Sequence, residues 1–190
     1  MNTLFDIAPT LPSGFTYAEN FISPEEERAL LMAIQKLTLD NMKFHMYEAK
    51  RKVISFGKGW SFTDQCLKDG NQFPEEVGFL ITRIAGYLKI PAESIAQFLV
   101  TEYPVGSVIN WHRDAPPFET IVGVLLLSDC IFKLRPQEKE KQTRTSTVIL
   151  PVKRRSFYVM KGQSKTAWQH CTSPVEKVRY SLTFRTLRII

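Results

Sequence analysis

The sequence predicts a mainly β protein with flanking helices (α+β), in which an antiparallel sandwich or jelly roll follows two N-terminal helices. Two segments before residue 90 repeat apolar residues at helical spacing, whereas the chain from residue 96 onward alternates short β-branched and aromatic runs with turn residues. A length of 190 residues suits one well-filled domain. We therefore predict a single domain over 1–190, with a lead-in at 1–14 and a jelly-roll core at 96–190.

The two predicted helices have clear start and stop signals. Ser23 is followed by a proline and then, three positions on, by Glu26, which is the pattern of a capping box. The second helix opens at Pro74, carries one apolar stripe and ends before Pro91. Both are expected to be scaffold helices packed against a sheet.

Eight short strands are expected in the second half of the chain. They are placed near 96–103, 107–112, 120–127, 131–135, 146–151, 156–161, 166–170 and 178–187. The polar segment Pro136–Thr145 between two of them is expected to be an exposed loop. Because no helical pattern separates these strands, they favour an antiparallel sandwich or jelly roll.

Charge is concentrated in two segments of this basic chain. The net charge is +6 and the sequence pI is about 9.3. Residues 133–155 hold eight basic residues against two acidic ones, which is +6, and residues 47–62 hold four against one, which is +3. This distribution favours an anionic partner, of which nucleic acid is the commonest.

Cysteine usage and hydropathy indicate the compartment. The three cysteines lie far apart with no CxxC pair, which indicates neither a disulfide framework nor a cysteine zinc site. No apolar run approaches the roughly 18–20 residues of a membrane span, and the N-terminus lacks the pattern of a signal peptide. We expect a cytoplasmic protein with no membrane association, or a nuclear one if the source is eukaryotic.

A histidine and an aspartate lie two residues apart in the segment NWHRDAPPF. His112 and Asp114 are either part of a charged turn or two ligands of a metal site, since strand geometry would put both on one face. A third ligand would be His170 at the end of TAWQH rather than His45 in its lysine-rich context. Two histidines and a carboxylate suit non-haem Fe(II), and a zinc site with the same ligands is the alternative.

The last predicted strand, VRYSLTFRTL, has one polar face and one apolar face. Arg179, Ser181, Thr183 and Arg185 alternate with three apolar or aromatic residues. If the polar face lines the inside of a barrel, its two guanidinium groups require anionic partners, and arginine suits carboxylates. A small dicarboxylate beside a metal ion would meet that requirement, whereas a solvent-facing strand would need no partner.

The order HxD, then His, then RxSxTxR resembles the AlkB family of Fe(II)- and 2-oxoglutarate-dependent dioxygenases. Four segments that together cover most of the chain are similar to AlkB-type sequences: LPSGFTYAENFISPEEE, AKRKVISFG, LVTEYPVGSVINWHRDAPPF and VRYSLTFRTLR. The resemblance implies a double-stranded β-helix, which is a jelly roll, with Fe(II), 2-oxoglutarate as co-substrate and O2.

The resemblance also implies roles for individual residues. The iron ligands would be His112, Asp114 and His170. Arg185 would bind the distal carboxylate of 2-oxoglutarate together with the Tyr103 hydroxyl, and Arg179 would lie near the keto-acid end and the iron-binding aspartate.

Three positions depart from the family pattern. Thr101 and Ser181 stand where many relatives have asparagine, and their hydroxyls are expected to donate hydrogen bonds to the co-substrate instead. Pro116 stands where some relatives carry a second acidic residue that helps to read the base.

Substrate contacts are expected from the two basic segments. The segment 47–62 resembles a nucleotide-recognition lid; the alternative is a solvated hairpin. Its basic residues would meet phosphates and its aromatic residues would stack on bases: Lys50, Arg51, Lys52 and Lys58, with Phe56, Trp60 and Phe62. Lys133 and Arg135 alternate on one strand face, where they would either line the pocket mouth and meet phosphate or face solvent.

The function implied by the resemblance is oxidative dealkylation of N-alkylated bases, such as 1-methyladenine and 3-methylcytosine, in DNA or RNA. This reaction couples to decarboxylation of 2-oxoglutarate to succinate, releases formaldehyde and would serve DNA alkylation repair; the base must be flipped or single-stranded. Alkylated nucleic acid would be the partner of a monomer that has no obligate protein partner. The alternatives are an oxygenase of protein side chains and a non-catalytic nucleic-acid-binding protein.

Overall fold

The computed structural model describes residues 10–44, 47–61 and 63–188, with the side chains of 43, 44, 47 and 48 left aside. In chain order the elements are β1 (Phe15–Ala18), α1 (Pro24–Ile34), β2 (Asp40–Phe44), β3 (Tyr47–Ser61), β4 (Cys66–Asp69), α2 (Gly78–Leu88), β5 (Ile95–Tyr103), β6 (Phe118–Leu126), β7 (Cys130–Pro136), β8 (Val148–Val152), β9 (Phe157–Met160), α3 (Gln163–Thr166), β10 (Trp168–Thr172) and β11 (Arg179–Leu187). Single 3-10 turns occur at Glu75–Val77, Ala92–Ser94 and Lys139–Lys141.

Two antiparallel sheets organise these elements. The larger one has eight strands in the order β1-β9-β6-β11-β5-β3-β2, with β4 added to β3. The smaller one has the order β10-β7-β8. The mainly β fold with two N-terminal scaffold helices is therefore as predicted.

Each face of the large sheet packs on a different layer. Phe98, Val100, Leu182 and Phe184 point to one side, where they form a core with apolar residues of α1 and α2. The other side meets the small sheet through a second core. Strand alternation thus directs the polar residues of β5 and β11 into the space between the two sheets.

One glycine makes room between the layers. A Cβ atom on Gly123 of β6 would lie 2.3 Å from the ring of Tyr158, which belongs to the neighbouring strand β9. Any side chain at this position would therefore displace the tyrosine from the space between the sheets.

The predicted capping box is present at the start of α1. The Ser23 hydroxyl accepts from the Glu26 amide at 3.2 Å, and the Glu26 carboxylate accepts from the Ser23 amide at 2.8 Å. The second helix begins as a 3-10 turn after Pro74, continues as α2 and stops at Lys89, whose φ is 57°. Both start signals in the sequence were thus correct.

Glu27 of α1 is buried and joins the helix to the β6–β7 turn. Its carboxylate accepts from the Leu127 amide at 2.7 Å and pairs with Arg154 at 2.6 Å. Leu127 has a φ of 77°, a strained value for a leucine. The buried carboxylate therefore holds a strained turn in place.

Replacing Glu27 with alanine is expected to lower the free energy of unfolding by about 2 kcal/mol, because the Leu127 amide loses a charged acceptor, whereas the half-exposed Arg154 adds little. Urea unfolding measures the change. Glu25→Ala is the control: its ion pair with Arg28 is exposed, so its loss should change the unfolding midpoint much less. Equal midpoints for the two variants would contradict the role given to Glu27.

The predicted strand at 107–112 is wrong. Gly106 has a φ of 79° and turns the chain after Pro104, and the following residues bond irregularly to the segment 172–175. Only His112 forms a ladder contact there, as an isolated bridge to His170. The apolar residues of this stretch therefore serve a loop that packs over the cavity described below.

The chain before residue 96 contributes more than two helices. β1 pairs with β9, and the 15-residue β3 pairs with β5, so both extend the large sheet beyond the predicted start of the core. Within the predicted lead-in, Ser13 and Gly14 accept from the backbone amides of Ser164 and Lys161. Residues 1–9 lie outside the described residues.

Among the described residues, no helix combines the length and the hydropathy that a membrane span requires.

Candidate metal centre and co-substrate site

A cavity of about 740 Å³ lies between the two sheets. Inward-facing residues of β3, β5, β6, β9 and β11 in the large sheet form one wall, and the loop 106–115 together with residues of β7 and β10 forms the other. Its volume falls within the roughly 300–1,000 Å³ typical of sites that enclose small ligands.

The polar face predicted for the last strand lines this cavity. Arg179, Ser181, Thr183 and Arg185 all face inward from β11. Across the ladder to β5, Arg179 lies opposite Tyr103, Ser181 opposite Thr101 and Arg185 opposite Gln97. The two arginines therefore lie near opposite ends of β11, and both face the same cavity.

Three potential metal ligands converge at one end of the cavity. The donor atoms of His112, Asp114 and His170 all lie within 4.8 Å of one another. The backbone bridge between His112 and His170 brings the two imidazoles together, with ring centroids 4.1 Å apart. His112 Nδ1 lies 2.8 Å from the Asn110 carbonyl oxygen, which leaves Nε2 for a metal ion.

The protonation states of this cluster favour metal binding. Burial raises the pKa of Asp114, but the Arg185 guanidinium and the two imidazoles outweigh it and hold that pKa well below its usual range. Burial, followed by the neighbouring His112, lowers the pKa of His170 to about 3. A carboxylate and a neutral imidazole are the forms that coordinate a metal ion.

Arg185 links Asp114 to the large sheet. Its Nη2 and Nε donate to Asp114 Oδ1 at 2.5 and 3.1 Å. Its Nη1 donates to Gln97 Oε1 at 2.6 Å, and Gln97 Nε2 donates to the Ser55 hydroxyl at 3.1 Å. A continuous chain of hydrogen bonds therefore runs from the metal ligand Asp114 to β3.

Arg179 lies in a different environment further along the cavity. Its guanidinium carbon is 3.9 Å from the ring centroid of Tyr103, and the residue is 3% exposed. The Arg179 Nε has no hydrogen-bond partner in the described part of the chain. Burial raises the pKa of Tyr103, with Arg179 opposing it, so the phenol is a neutral donor beside the cation. A buried guanidinium with an unused donor calls for an anionic ligand.

The family profile described as the 2OG-Fe(II) oxygenase superfamily matches residues 14–189. The chain belongs to this superfamily. The solved structure of OsALKBH1 superposes with a TM-score of 0.67 at 15% identity, covering 93% of this chain and all of that one. A Trichoplax adhaerens prolyl hydroxylase, solved with a peptide fragment of hypoxia inducible factor, gives 0.63 at 15% identity, covering 92% and 83%. The jelly-roll fold is thereby confirmed.

Curated relatives make the chain an AlkB-like member of the superfamily. It is 30% identical over 175 residues to mouse "tRNA (carboxymethyluridine(34)-5-O)-methyltransferase ALKBH8" and 24% identical over 177 residues to the Xenopus tropicalis protein of the same description. The matches cover 86% and 88% of this chain. The chain spans about a quarter of the length of these relatives, at 25% and 26%.

The residues of the cavity fit the Fe(II) and 2-oxoglutarate that characterise this superfamily. The two-histidine, one-carboxylate set is a facial triad with positions left open for other ligands. The unpartnered Arg179 Nε beside the neutral Tyr103 phenol suits the carboxylate of a dicarboxylic acid.

The two arginines of β11 have the opposite side-chain contacts to those expected from the sequence. Arg185 contacts the metal ligand Asp114, not Tyr103, and Arg179 contacts Tyr103, not Asp114. With this geometry Arg179 and Tyr103 would face the distal carboxylate of 2-oxoglutarate, and Arg185 would face its keto-acid end. The error arose because alternation along β11 gives the face of each arginine but not which end of the strand reaches the metal ligands.

The described residues expected in the nucleotide-recognition lid lie on β3, and their contact with a substrate stays a prediction. Arg51 and Trp60 line the cavity. Phe56 does not: it is buried on the opposite face of β3 and stacks on Phe98 at 5.5 Å, so it cannot reach a substrate. Phe62 and His45 lie outside the described residues.

The basic pair on β7 lies on the outer face of the small sheet, since Phe132 and Leu134 of that strand point inward. Arg135 still reaches the cavity rim: its guanidinium lies 4.3 Å from the ring of Trp111, which lines the cavity, and its Nε donates to Gln169. Lys133 does not line the cavity. Its contact with phosphate stays a prediction.

Sequence reasoning missed Gln97 and Trp111. Gln97 shares the phase of Thr101 and Tyr103 in IAQFLVTEY, so strand alternation would have placed it on the cavity face. Trp111 gave no such signal, because its position depends on the loop geometry around the His112–His170 bridge.

Proposed function

We propose that the chain oxidatively removes alkyl groups from N-alkylated bases of DNA or RNA. The observation that supports this proposal most directly is that Arg51 and Trp60 line the same cavity as the metal triad, so a cation and an aromatic ring are available to a base that enters it. The stacked pair of Arg135 and Trp111 lies at the rim on the other side. The relatives named for tRNA modification add support for nucleic acid as the partner class.

Different residues of the cavity would bind the metal ion and the co-substrate. His112, Asp114 and His170 would hold Fe(II), Arg179 and the Tyr103 phenol would hold the far carboxylate of 2-oxoglutarate, and Arg185 orients Asp114. With O2, this pair of cofactors supplies the oxidising chemistry that turns 2-oxoglutarate into succinate and carbon dioxide and hydroxylates the alkyl carbon, which leaves as formaldehyde.

Direct turnover assays test the proposal. The protein is incubated with Fe(II), 2-oxoglutarate and single-stranded oligonucleotides that carry one N-methylated base, and formaldehyde and restored base are measured together. We expect both products in a one-to-one ratio from the native protein and neither from His112→Ala. Succinate release without base restoration on any oligonucleotide would overturn the proposal.

An oxygenase of protein side chains is the second candidate, because the prolyl hydroxylase shares the fold. Its test uses the same assay with peptide substrates: hydroxylated or demethylated peptide, with no restored base, would favour it. Oligonucleotide binding without iron-dependent turnover of either substrate would instead favour a non-catalytic role, which the intact triad and the two cavity arginines argue against.

A further inference from the structure

Tyr158 of β9 lines the cavity and has no role in the site described so far. The residue is 8% exposed, and its ring is fixed by aromatic neighbours: it stacks on Phe15 at 5.9 Å and lies 5.1 Å from Phe132. Among the described residues, the Tyr158 hydroxyl has no hydrogen-bond partner. A buried hydroxyl without a partner is costly, so the free donor calls for a ligand in the cavity.

Gly123 of β6 determines where this hydroxyl lies. Tyr158 is opposite Gly123 in the ladder between β9 and β6, and Gly123 is opposite Thr183 in the ladder between β6 and β11. A Cβ atom on Gly123 would lie 2.3 Å from Tyr158 Cζ and 2.6 Å from the Tyr158 hydroxyl oxygen. The phenol therefore lies across β6 in the space left by the glycine. Since neighbouring strands are about 4.8 Å apart, the hydroxyl lies about one strand spacing from β11 at Thr183.

Thr183 marks the part of β11 that lies between the two cavity arginines. It follows Arg179 and precedes Arg185 on the same inward face of the strand. The Tyr158 hydroxyl is therefore placed over the middle of the cavity wall, between the arginine beside Tyr103 and the arginine bound to the metal ligand.

The electrostatics of the phenol agree with this central position. Burial raises the pKa of Tyr158, Asp114 raises it further, and Arg179 and Arg185 oppose the rise, so charges at both ends of the cavity act on one hydroxyl. The phenol is a neutral donor, and a hydrogen bond from it to a carboxylate oxygen is of the strong, charge-assisted kind. We infer that Tyr158 is a further co-substrate-binding residue, whose hydroxyl donates a hydrogen bond to an oxygen of the 2-oxoglutarate held between Arg179 and Arg185. The inference rests on the co-substrate of the proposed function and not on its nucleic acid substrate.

Tyr158→Phe tests the inference, because it removes the hydroxyl and keeps the ring that packs between the sheets. Calorimetric titration of 2-oxoglutarate into the Mn(II) form, without Fe(II), should show a Kd about tenfold above that of the native protein. The affinity for Mn(II) itself should stay within about twofold, since the hydroxyl is not a metal ligand. Tyr180→Phe is the matched control: its hydroxyl donates to Glu102 on the opposite face of the sheet, so its loss should leave the Kd for 2-oxoglutarate unchanged.

Thermal unfolding distinguishes a ligand-binding hydroxyl from a structural one. An unpartnered hydroxyl does not stabilise the ligand-free fold, so the Tm of Tyr158→Phe without ligand should equal or exceed the native value. The rise in Tm on addition of Mn(II) and 2-oxoglutarate should be smaller for Tyr158→Phe than for the native protein, because a weaker ligand stabilises less. A native-like Kd for 2-oxoglutarate in Tyr158→Phe would overturn the inference and leave the proposed function standing. Failure of the native protein to bind 2-oxoglutarate would overturn both.

Discussion

Replacing Arg179 with alanine is expected to weaken 2-oxoglutarate binding by about a hundredfold while leaving metal affinity within about twofold of the native value. The guanidinium is buried beside Tyr103 with an unused donor, and it makes no contact with the metal ligands. Charge-assisted hydrogen bonds to a carboxylate contribute roughly 1.5–3 kcal/mol each, so the loss of a paired contact accounts for this factor.

Arg185→Ala should behave differently. Arg185 donates two hydrogen bonds to Asp114, so its removal disturbs a metal ligand as well as the keto-acid end of the co-substrate site. Metal affinity is expected to fall by about 10–100-fold, as for other residues that orient metal ligands. Replacing Gln97 should also lower metal affinity, but by a smaller factor, because Gln97 contacts Asp114 only through Arg185, from which it accepts a hydrogen bond.

Calorimetric titration separates the two arginines. Mn(II) is titrated into each metal-free variant, and 2-oxoglutarate is then titrated into the Mn(II) form without Fe(II), so that no turnover intervenes. Arg188→Ala is the matched control, since this exposed arginine pairs with Glu119 outside the cavity. If Arg179→Ala lost metal and 2-oxoglutarate affinity equally, Arg179 would not be the carboxylate partner, and the assignment first expected from the sequence would return.

The sequence was sufficient wherever a local pattern determines geometry. The capping box at Ser23 and the alternation of β11 each depend on residues a few positions apart, and each was correct. His112 and Asp114 also lie close together, although a loop and an isolated bridge place them instead of the expected strand. His170 was also found, although the contact joins residues 58 positions apart, because few histidines were available to complete the set.

Long-range register is where sequence reasoning failed. Which arginine of β11 lies beside Tyr103 depends on the register between β11 and β5. These two strands are neighbours in the sheet but lie far apart in the sequence. The misplacement of Phe56 has a similar cause, because the phase of β3 is set by its pairing with β5 rather than by its own mixed sequence. The N-terminal strands were missed since β3 carries charged residues on both faces and lacks a clear apolar alternation.

Asp114→Ala is expected to abolish metal binding and also to destabilise the metal-free protein by about 3 kcal/mol. The Arg185 guanidinium is 15% exposed, and Asp114 is its anionic partner at 2.5 Å. Removing one member of a buried ion pair leaves the other charge uncompensated, which typically costs about 3–5 kcal/mol. The Gln97 carbonyl oxygen remains as an acceptor and keeps the cost at the lower end.

His112→Ala provides the matched comparison, because it removes a metal ligand without leaving a buried charge. This residue is only partly buried, and its ring nitrogen contacts the backbone oxygen of Asn110. Its replacement should abolish metal-dependent turnover while changing the metal-free unfolding free energy by less than about 1 kcal/mol. Urea denaturation of both variants in chelator compares the two costs. Equal destabilisation would mean that Arg185 finds another partner or water when Asp114 is absent, and that the bond between them orients the metal ligand without stabilising the fold.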